Sequence, residues 1–247
     1  MKYIIDLDGT LLDGEKANLD AVDFIASLQK KGAEFVIMTN SVKSPHLIRK
    51  RLNNVGIKVE LSQIINPIIA MNIYGKRQNY SKAYVLGSKL EKEQVSLELD
   101  DLNPDLVMLL DFEKDALGYK ELQKTFELMI RNVPVITASK SKFYLRNGDK
   151  FLDTGSFVSL LESATDQRIE VLGKPSLSYF KSAVDLLNTT EDKVTVIGDD
   201  WSTDILGANQ AGCHGVLLKS GKYKKGDEEK TIVKQSVACL MDIIKET

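Results

Sequence analysis

The chain alternates between short, continuously apolar runs and longer segments in which apolar residues recur every three to four positions. The apolar runs predict β-strands, at 3–5, 34–38, 82–86, 105–110, 133–137, 193–197 and 215–218. The periodic segments predict helices, at about 21–31, 45–54, 117–131, 155–164, 175–187 and 204–211. Because strands buried on both faces are apolar throughout, this alternation predicts an α/β fold with a parallel sheet covered by helices on both faces.

The middle of the chain differs from the rest in one local signal. Two short apolar segments, 143–145 and 150–152, flank Asn147-Gly148, a dipeptide typical of a β-hairpin turn. We therefore interpret residues 80–169 as a second α/β domain. It is inserted into a Rossmann-like core made of 1–79 and 170–247.

The composition removes several classes of function from consideration. The 247 residues include 33 basic and 35 acidic side chains, for a net charge of −2, which gives no electrostatic basis for binding nucleic acid or an anionic membrane. No apolar run approaches the ~18 residues of a membrane span. Two cysteines and two histidines provide neither a disulfide framework nor a histidine-based zinc site. We expect a cytoplasmic protein, and we interpret the basic stretch 219–225 as a solvated loop.

The sequence Asp6-Leu7-Asp8-Gly9-Thr10 follows the first predicted strand directly. Residues i and i+2 of an extended chain point the same way, so Asp6 and Asp8 are expected to face one spot where the strand ends. Two adjacent carboxylates repel unless a cation or a proton relieves them. Gly9 permits a sharp turn. This combination suits Mg²⁺-assisted chemistry on a phosphate, with one carboxylate as nucleophile and the other as general acid and base.

Three further polar clusters follow predicted strands or precede a helix. They are Thr39-Asn40-Ser41, Asp199-Asp200 with Asp204, and Gly173-Lys174-Pro175. In an open parallel sheet the carboxyl ends of the strands lie along one edge, where ligands bind. Lys174 adds a cation beside a helix N-terminus, which also favours anions. The sequence therefore predicts a site for an anionic ligand at this edge.

Each cluster taken alone also has a purely structural interpretation. The first pair of aspartates is compatible with a solvated turn, and 39–41 with a helix cap. Lys174 is compatible with a surface lysine, and 199–204 with an acidic turn and cap. Their joint occurrence, in this order along the chain, favours a functional site.

The four motifs resemble those of the haloacid dehalogenase superfamily of phosphatases in order and spacing. They are DLDGT (6–10), TNS (39–41), GKP (173–175) and GDDWSTDI (198–205). The long α/β insert resembles the cap domain of the NagD-like branch (class IIA). The stretch from Val196 to Gly212, continued by GVLLKSGKY, is similar to that branch as well.

The resemblance implies a role for each motif residue. Asp6 would form an aspartyl-phosphate, Asp8 would act as general acid and base, and Lys174 would neutralise charge. Asp6, Asp199 and the backbone carbonyl of Asp8 would bind Mg²⁺, with Asp204 orienting its water ligands and Asp200 sharing that work. The expected phosphate- and substrate-binding residues are Gly9, Thr39, Asn40, Ser41, Lys174 and Lys140.

The insert departs from the family pattern after the strand predicted at 133–137. Many relatives carry Thr-Asn-Pro-Asp there, whereas this chain reads Ala138-Ser139-Lys140-Ser141. We hypothesise that Lys140, with Tyr144 and Arg146, selects a more anionic substrate. Trp201 is interpreted as a packing residue or as a contact between core and cap.

The sequence thus predicts a Mg²⁺-dependent phosphatase for small phosphorylated metabolites of the sugar phosphate or nucleotide type, with a homodimer through the cap as a further possibility. A phosphotransferase or mutase would use the same Asp6 and Asp8. A non-enzymatic sensor of phosphorylated ligands would not need a nucleophile. A dehalogenase would not need the acids at 199–204, and a dinucleotide-binding oxidoreductase is disfavoured because no G-x-G-x-x-G follows a predicted strand.

Overall fold

A computed structural model describes residues 2–110, 118–146 and 149–245, the side chains of 144–146 and 245 excepted. The strands in these residues are Lys2–Asp6 (β1), Leu12–Asp13 (β2), Lys16–Ala17 (β3), Glu34–Met38 (β4), Ile64–Ile65 (β5), Lys82–Leu86 (β6), Glu98–Leu99 (β7), Leu106–Leu109 (β8), Val135–Thr137 (β9), Phe143–Arg146 (β10), Asp149–Leu152 (β11), Glu170–Val171 (β12), Val194–Gly198 (β13), His214–Leu218 (β14) and Gln235–Val237 (β15). The α-helices are Ala21–Lys30 (α1), Pro45–Asn54 (α2), Pro67–Arg77 (α3), Lys89–Lys92 (α4), Tyr119–Ile130 (α5), Thr154–Thr165 (α6), Leu177–Leu186 (α7), Leu206–Gln210 (α8) and Leu240–Lys245 (α9).

The chain divides into two compact units. The first comprises the described residues of 1–39, 45–66 and 174–247, and the second those of 40–44 and 67–173. The sequence-based boundaries at 80 and 169 fall inside the second unit. The difference at the first boundary arises from α3, whose Asn72 side chain donates to the Gln94 carbonyl (2.8 Å) and accepts from the Ser96 amide (2.9 Å), both in the second unit.

The first unit is built on a six-stranded parallel sheet in the order β15-β14-β13-β1-β4-β5. In the register of the central strands, Asp6 of β1 lies opposite Met38 of β4, and Ile5 lies opposite Ile197 of β13. The carboxyl ends of these three strands are therefore level with one another. This alignment brings the residues that follow them to one edge of the sheet.

The core of the first unit is formed by the apolar strands and one face of each helix. Helix α1 buries Phe24 and Leu28 and turns Asp23 to solvent, as its 3.6-residue periodicity predicts. Strands β1, β4 and β13 are buried over nearly their whole length. Burial on both faces explains why these strands are continuously apolar.

The second unit has its own five-stranded parallel sheet, in the order β12-β9-β8-β6-β7. Helices α5 and α6 contribute Leu128, Val158 and Leu161 to its core, where they join Leu109 and Val107 of β8. Strands β10 and β11 pair antiparallel. The Asn147-Gly148 turn predicted between them lies outside the described residues.

The predicted fold class is confirmed, and most of the predicted strands and helices are present within a few residues of the predicted bounds. The sequence pattern missed the short strands β5, β7, β12 and β15, the hairpin β2–β3, and the helices α3, α4 and α9. Within the described part of the chain, no helix combines the length and the apolar character needed to cross a membrane.

Candidate active site

Three buried carboxylates meet where the central strands of the first unit end. Asp6 is the last residue of β1, Asp199 follows β13 directly, and Asp204 lies on the π-helical turn Trp201–Ile205. One carboxylate oxygen from each lies within 4.8 Å of the other two. The side chains come from distant parts of the sequence, so their proximity is a consequence of strand order and register.

Lys174 connects two of these carboxylates. Its Nζ donates to Asp6 Oδ1 and to Asp204 Oδ1, the latter at 2.7 Å. All three side chains are at most 8% exposed. The lysine predicted to lie near an anion therefore contacts the predicted nucleophile directly.

The charges in this cluster do not balance. Three carboxylates and one ammonium group carry a net charge of −2 when all are ionised. Burial raises the pKa of Asp6, although Lys174 acts against it. Burial also raises the pKa of Asp204, to about 6, and that of Asp199. For Lys174, burial acts in the opposite direction, but Asp204 and Asp6 outweigh it and raise its pKa.

The cluster fits a divalent cation. Carboxylate oxygens are the ligands that Mg²⁺ prefers in proteins, and the charge of such a cation equals the excess of negative charge. Asp6 Oδ2 is buried and accepts no hydrogen bond from the described residues. A buried carboxylate oxygen without a partner is costly. Coordination to a metal would remove that cost.

The nucleophile loop packs tightly against Asp199. Gly9 has a φ of +100°, and a Cβ added there would lie 2.6 Å from Asp199 Cγ. The Thr10 hydroxyl donates to Asp199 Oδ1 at 3.2 Å. Only glycine fits at position 9, for both the backbone conformation and the close approach.

Thr39 lies one residue beyond the end of β4 and is buried. Its carbonyl accepts a hydrogen bond from the Tyr179 hydroxyl of α7 at 2.5 Å, and that hydroxyl also lies 3.1 Å from the Ile65 carbonyl. Burial raises the pKa of Tyr179, so the phenol stays protonated and remains a donor. Tyr179 thereby ties the helix after Lys174 to the ends of β4 and β5.

Asp8 differs from the three buried carboxylates in its exposure and in its partner. Its side chain is 49% exposed, and its Oδ1 accepts a hydrogen bond from Arg51 Nη2 at 2.9 Å. It is not a member of the carboxylate cluster. Strand β1 ends at Asp6, two residues before Asp8, and the expectation that Asp6 and Asp8 face one spot stays a prediction. Coordination by the Asp8 backbone carbonyl stays a prediction.

Asp200 has other partners. Its Oδ1 accepts hydrogen bonds from the Ser202 amide (2.9 Å) and hydroxyl (2.6 Å), and its Oδ2 accepts one from Lys222 Nζ (3.2 Å). Burial acts against ionisation, but these contacts outweigh it and lower the pKa of Asp200. Asp200 thus caps the π-helical turn. The Trp201 ring lies under Lys230 Nζ, 5.2 Å from its centroid.

The remaining predicted residues belong to the second unit. Asn40 and Ser41 lie in its segment 40–44, and their role in phosphate binding stays a prediction. Lys140 donates to Glu162 Oε1 at 2.7 Å, which neutralises part of its charge. The side chains of Tyr144 and Arg146 lie outside the described residues.

Sequence reasoning missed contacts made by the loop after β14. The stretch 219–225, which we interpret as a solvated loop, is exposed or half-exposed throughout, but two of its residues also make contacts at the site. The Ser220 hydroxyl donates to the Gly9 carbonyl at 2.6 Å, and the Lys222 amide donates to Asp199 Oδ2 at 2.6 Å. Tyr179 and Arg51 were also missed, because nothing in the local sequence marks them as neighbours of the site.

Comparison with known proteins places the chain in a family. Residues 3–99 match the model of a haloacid dehalogenase-like hydrolase, and residues 171–243 match a model described as HAD-hydrolase-like. Together they cover the elements that supply the carboxylate cluster and Lys174. The family predicted from the four motifs is confirmed.

Two mouse proteins illustrate the sequence similarity. Haloacid dehalogenase-like hydrolase domain-containing protein 2 is 27% identical over 228 residues, which cover 92% of this chain and 87% of that protein. Phospholysine phosphohistidine inorganic pyrophosphate phosphatase is 28% identical over 235 residues, which cover 91% of this chain and 85% of that protein. Phosphatases are thus among the relatives of this chain, as predicted.

Two solved structures resemble this one in fold over nearly the whole chain. A p-nitrophenyl phosphatase from Archaeoglobus fulgidus has a TM-score of 0.88 at 20% identity, with 100% of this chain and 98% of that chain covered. NagD from E. coli K-12 has a TM-score of 0.87 at 22% identity, with 97% and 96% covered. At these identities the likeness concerns the fold, which is that of the NagD-like branch.

Proposed function

Because the chain belongs to the haloacid dehalogenase-like hydrolases, we propose that it is a Mg²⁺-dependent phosphatase acting through an aspartyl-phosphate on Asp6. Its substrate is a small phosphorylated metabolite of the sugar phosphate or nucleotide type. The observation that carries this proposal is the buried cluster of Asp6, Asp199 and Asp204 around Lys174. Phosphatases among the relatives in sequence and fold support it.

The first step transfers the phosphoryl group to the protein. A carboxylate oxygen of Asp6 forms a bond to phosphorus while the bond between phosphorus and the ester oxygen breaks, and Asp8 gives its proton to the leaving alkoxide. In the second step Asp8 takes a proton from water. The resulting hydroxide attacks phosphorus while the bond between phosphorus and the Asp6 oxygen breaks, which frees the Asp6 carboxylate and inorganic phosphate.

The positions of the two carboxyl groups suit these different tasks. Asp6 is buried, so the aspartyl-phosphate forms away from bulk water. Asp8 is half exposed, so it can exchange protons with water and with a leaving group. Arg51 holds the Asp8 carboxylate and fixes its side chain.

The phosphoryl group brings negative charge to a site that already has an excess of it. Lys174 offsets part of that charge, because its Nζ contacts Asp6. Asp6, Asp199 and Asp204 would hold Mg²⁺, which when bound supplies positive charge that stabilises the phosphoryl oxygens. The π-helical turn holds Asp204 in place through the bond from the Asp200 amide to its Oδ2, at 3.1 Å.

The proposal is tested by phosphate release from p-nitrophenyl phosphate and from a panel of metabolite phosphates, with Mg²⁺ and with EDTA. The wild type is expected to release phosphate only with Mg²⁺. Asp6→Asn is expected to lower turnover by about 10³-fold or more while remaining folded, since the nucleophile is lost and the shape is kept. Asp23→Asn, an exposed change on α1, is the matched control and should retain activity.

The outcomes separate the proposal from its rivals. Retained activity in Asp6→Asn would refute the covalent mechanism. Phosphate kept on an isomer of the substrate would indicate a phosphotransferase or mutase, and binding of phosphorylated ligands without turnover would indicate a sensor.

Lys140→Ala in the same panel tests the predicted preference for a more anionic substrate. A homodimer through the inserted domain stays a prediction, which light scattering would test.

A further inference from the structure

The loop after β14 borders the carboxylate cluster of the first unit. Ser220 donates its hydroxyl hydrogen to the Gly9 carbonyl, and the Lys222 amide donates to Asp199 Oδ2, both at 2.6 Å. We propose that the segment Ser220–Lys222 is a positioning element that orients Asp199 for a divalent cation and that this requires glycine at position 221. This inference rests on the proposed function, because it assumes a cation at the cluster.

The first support is the way in which the Asp199 carboxylate is held. Its Oδ1 accepts from the Thr10 hydroxyl at 3.2 Å, and its Oδ2 accepts from the Lys222 amide at 2.6 Å. The terminal torsion of an aspartate is broad, so a buried carboxylate without such donors has several orientations. Partners of this kind orient the ligands of metal sites and tune their affinity. One donor on each oxygen fixes the plane of this carboxylate.

The second support is the lack of space at Gly221. Its φ is +49°, and an added Cβ would collide with Asp199 Oδ2 and would lie 2.7 Å from Gly9 Cα. Gly9 itself approaches Asp199 closely. The Asp199 carboxylate is therefore packed against two glycine backbones, and a methyl group at 221 forces either the carboxylate or the loop to move.

The third support is that Lys222 contacts both neighbouring acids, Asp199 and Asp200, but with different groups. The Lys222 amide binds Asp199, whereas its side chain, 71% exposed, places Nζ 3.2 Å from Asp200 Oδ2. Asp200 is also engaged by Ser202. Of the two acids, Asp199 is thus the one whose carboxylate lies in the cluster, and the loop holds it there.

The test is Mg²⁺ binding to metal-free protein, measured by calorimetry, for the wild type, Gly221→Ala and Gly226→Ala. Gly226 lies in the same loop with a φ of +95°, but nothing lies within 4 Å of an added Cβ there. Because its φ is farther from the left-handed minimum near +57°, alanine is at least as strained at 226 as at 221. The control therefore separates backbone strain from the collision with Asp199.

Gly221→Ala is expected to bind Mg²⁺ about 10- to 100-fold more weakly, the usual effect of disturbing the partners of a metal ligand. Gly226→Ala is expected to bind like the wild type, within about twofold. Wild-type affinity in Gly221→Ala, or an equal loss in both variants, would overturn the positioning role.

A second measurement needs no loop substitution, in case Gly221→Ala does not fold. In the wild type, the NMR signal of the Lys222 amide is expected to shift as Mg²⁺ is added, and Asp199→Asn should abolish that shift. Mg²⁺ binding with an unmoved Lys222 signal would refute the positioning role alone. Absence of Mg²⁺ binding to the wild type would refute the cation of the proposed function, and the inference with it.

Discussion

Replacing Lys174 with methionine tests whether the buried carboxylates of Asp6 and Asp204 depend on the ammonium group that contacts both of them. The side chains of Lys174, Asp6 and Asp204 are 6%, 8% and 2% exposed, so water cannot replace the lost cation. Removing one partner from a buried ion pair typically costs about 3–5 kcal/mol. Methionine is unbranched like lysine and one heavy atom shorter, so Lys174→Met keeps most of the packing and this cost is mainly electrostatic.

The assay is thermal unfolding of metal-free protein at pH 7. For a chain of this size each kcal/mol lowers Tm by about 2–4 °C, so Lys174→Met should lower it by about 6–20 °C. Lys140→Met is the matched control, because the Lys140–Glu162 pair has the same 2.7 Å separation as Lys174 and Asp204 but is 38% and 25% exposed. Exposed pairs contribute at most about 1 kcal/mol.

The pH dependence of this effect follows from the same reasoning. Without Lys174, the carboxylates gain stability by taking up protons, so the loss in Lys174→Met should be smaller at pH 5 than at pH 7. Equal decreases in Tm for Lys174→Met and Lys140→Met would refute the view that burial sets the cost. A loss that grows as the pH falls would refute the view that uncompensated carboxylates cause it.

Three further predictions concern the wild type and single variants. The pKa of Asp204 is raised from 3.8 to about 6, so the folded state binds more protons than the unfolded chain. The stability of the metal-free protein should therefore fall as the pH rises from about 4 to about 6. A urea-unfolding series with the opposite slope would contradict this. Tyr179→Phe removes a buried donor to the Thr39 and Ile65 carbonyls and should destabilise by about 1–3 kcal/mol, which an unchanged urea midpoint would disprove. Mg²⁺ at 100-fold its Kd should stabilise the wild type against thermal unfolding by about 2.7 kcal/mol. The variant Asp199→Asn should lose most of this stabilisation at the same Mg²⁺ concentration. Equal stabilisation of the two proteins would show that Asp199 does not bind the metal.

The sequence predicts the framework of the site because parallel strands carry a strong signal. Strands β1, β4 and β13 are apolar runs that stop at polar residues, and sheet geometry alone brings their carboxyl ends together. The positions of Asp6, Asp199 and Thr39 at these ends follow from that rule. The short strands β5 and β12, of two residues each, carry too little pattern to be recognised.

Several contacts that orient the side chains of the site cannot be predicted from the sequence. Lys222 acts on Asp199 through its backbone amide, which any residue except proline would supply. Gly221 is constrained only because the fold brings it beside Gly9, more than 200 residues earlier in the chain. Arg51 reaches Asp8 from one face of α2, a contact that depends on where this helix packs. Such features become visible only in three dimensions.

In the proposed mechanism, the burial of Asp6 creates the need for a cation. Enclosing Asp6 would protect an aspartyl-phosphate from bulk water, but the same burial raises the pKa of Asp6 and disfavours the ionised form that the proposed attack on phosphorus requires. Lys174 offsets one charge, yet Asp199 and Asp204 add two more. A divalent cation at these oxygens would restore neutrality and favour ionised Asp6. On this reasoning, metal binding and activation of Asp6 would be one electrostatic event, and the proposed role of the half-exposed Asp8 would be to carry protons between the site and water.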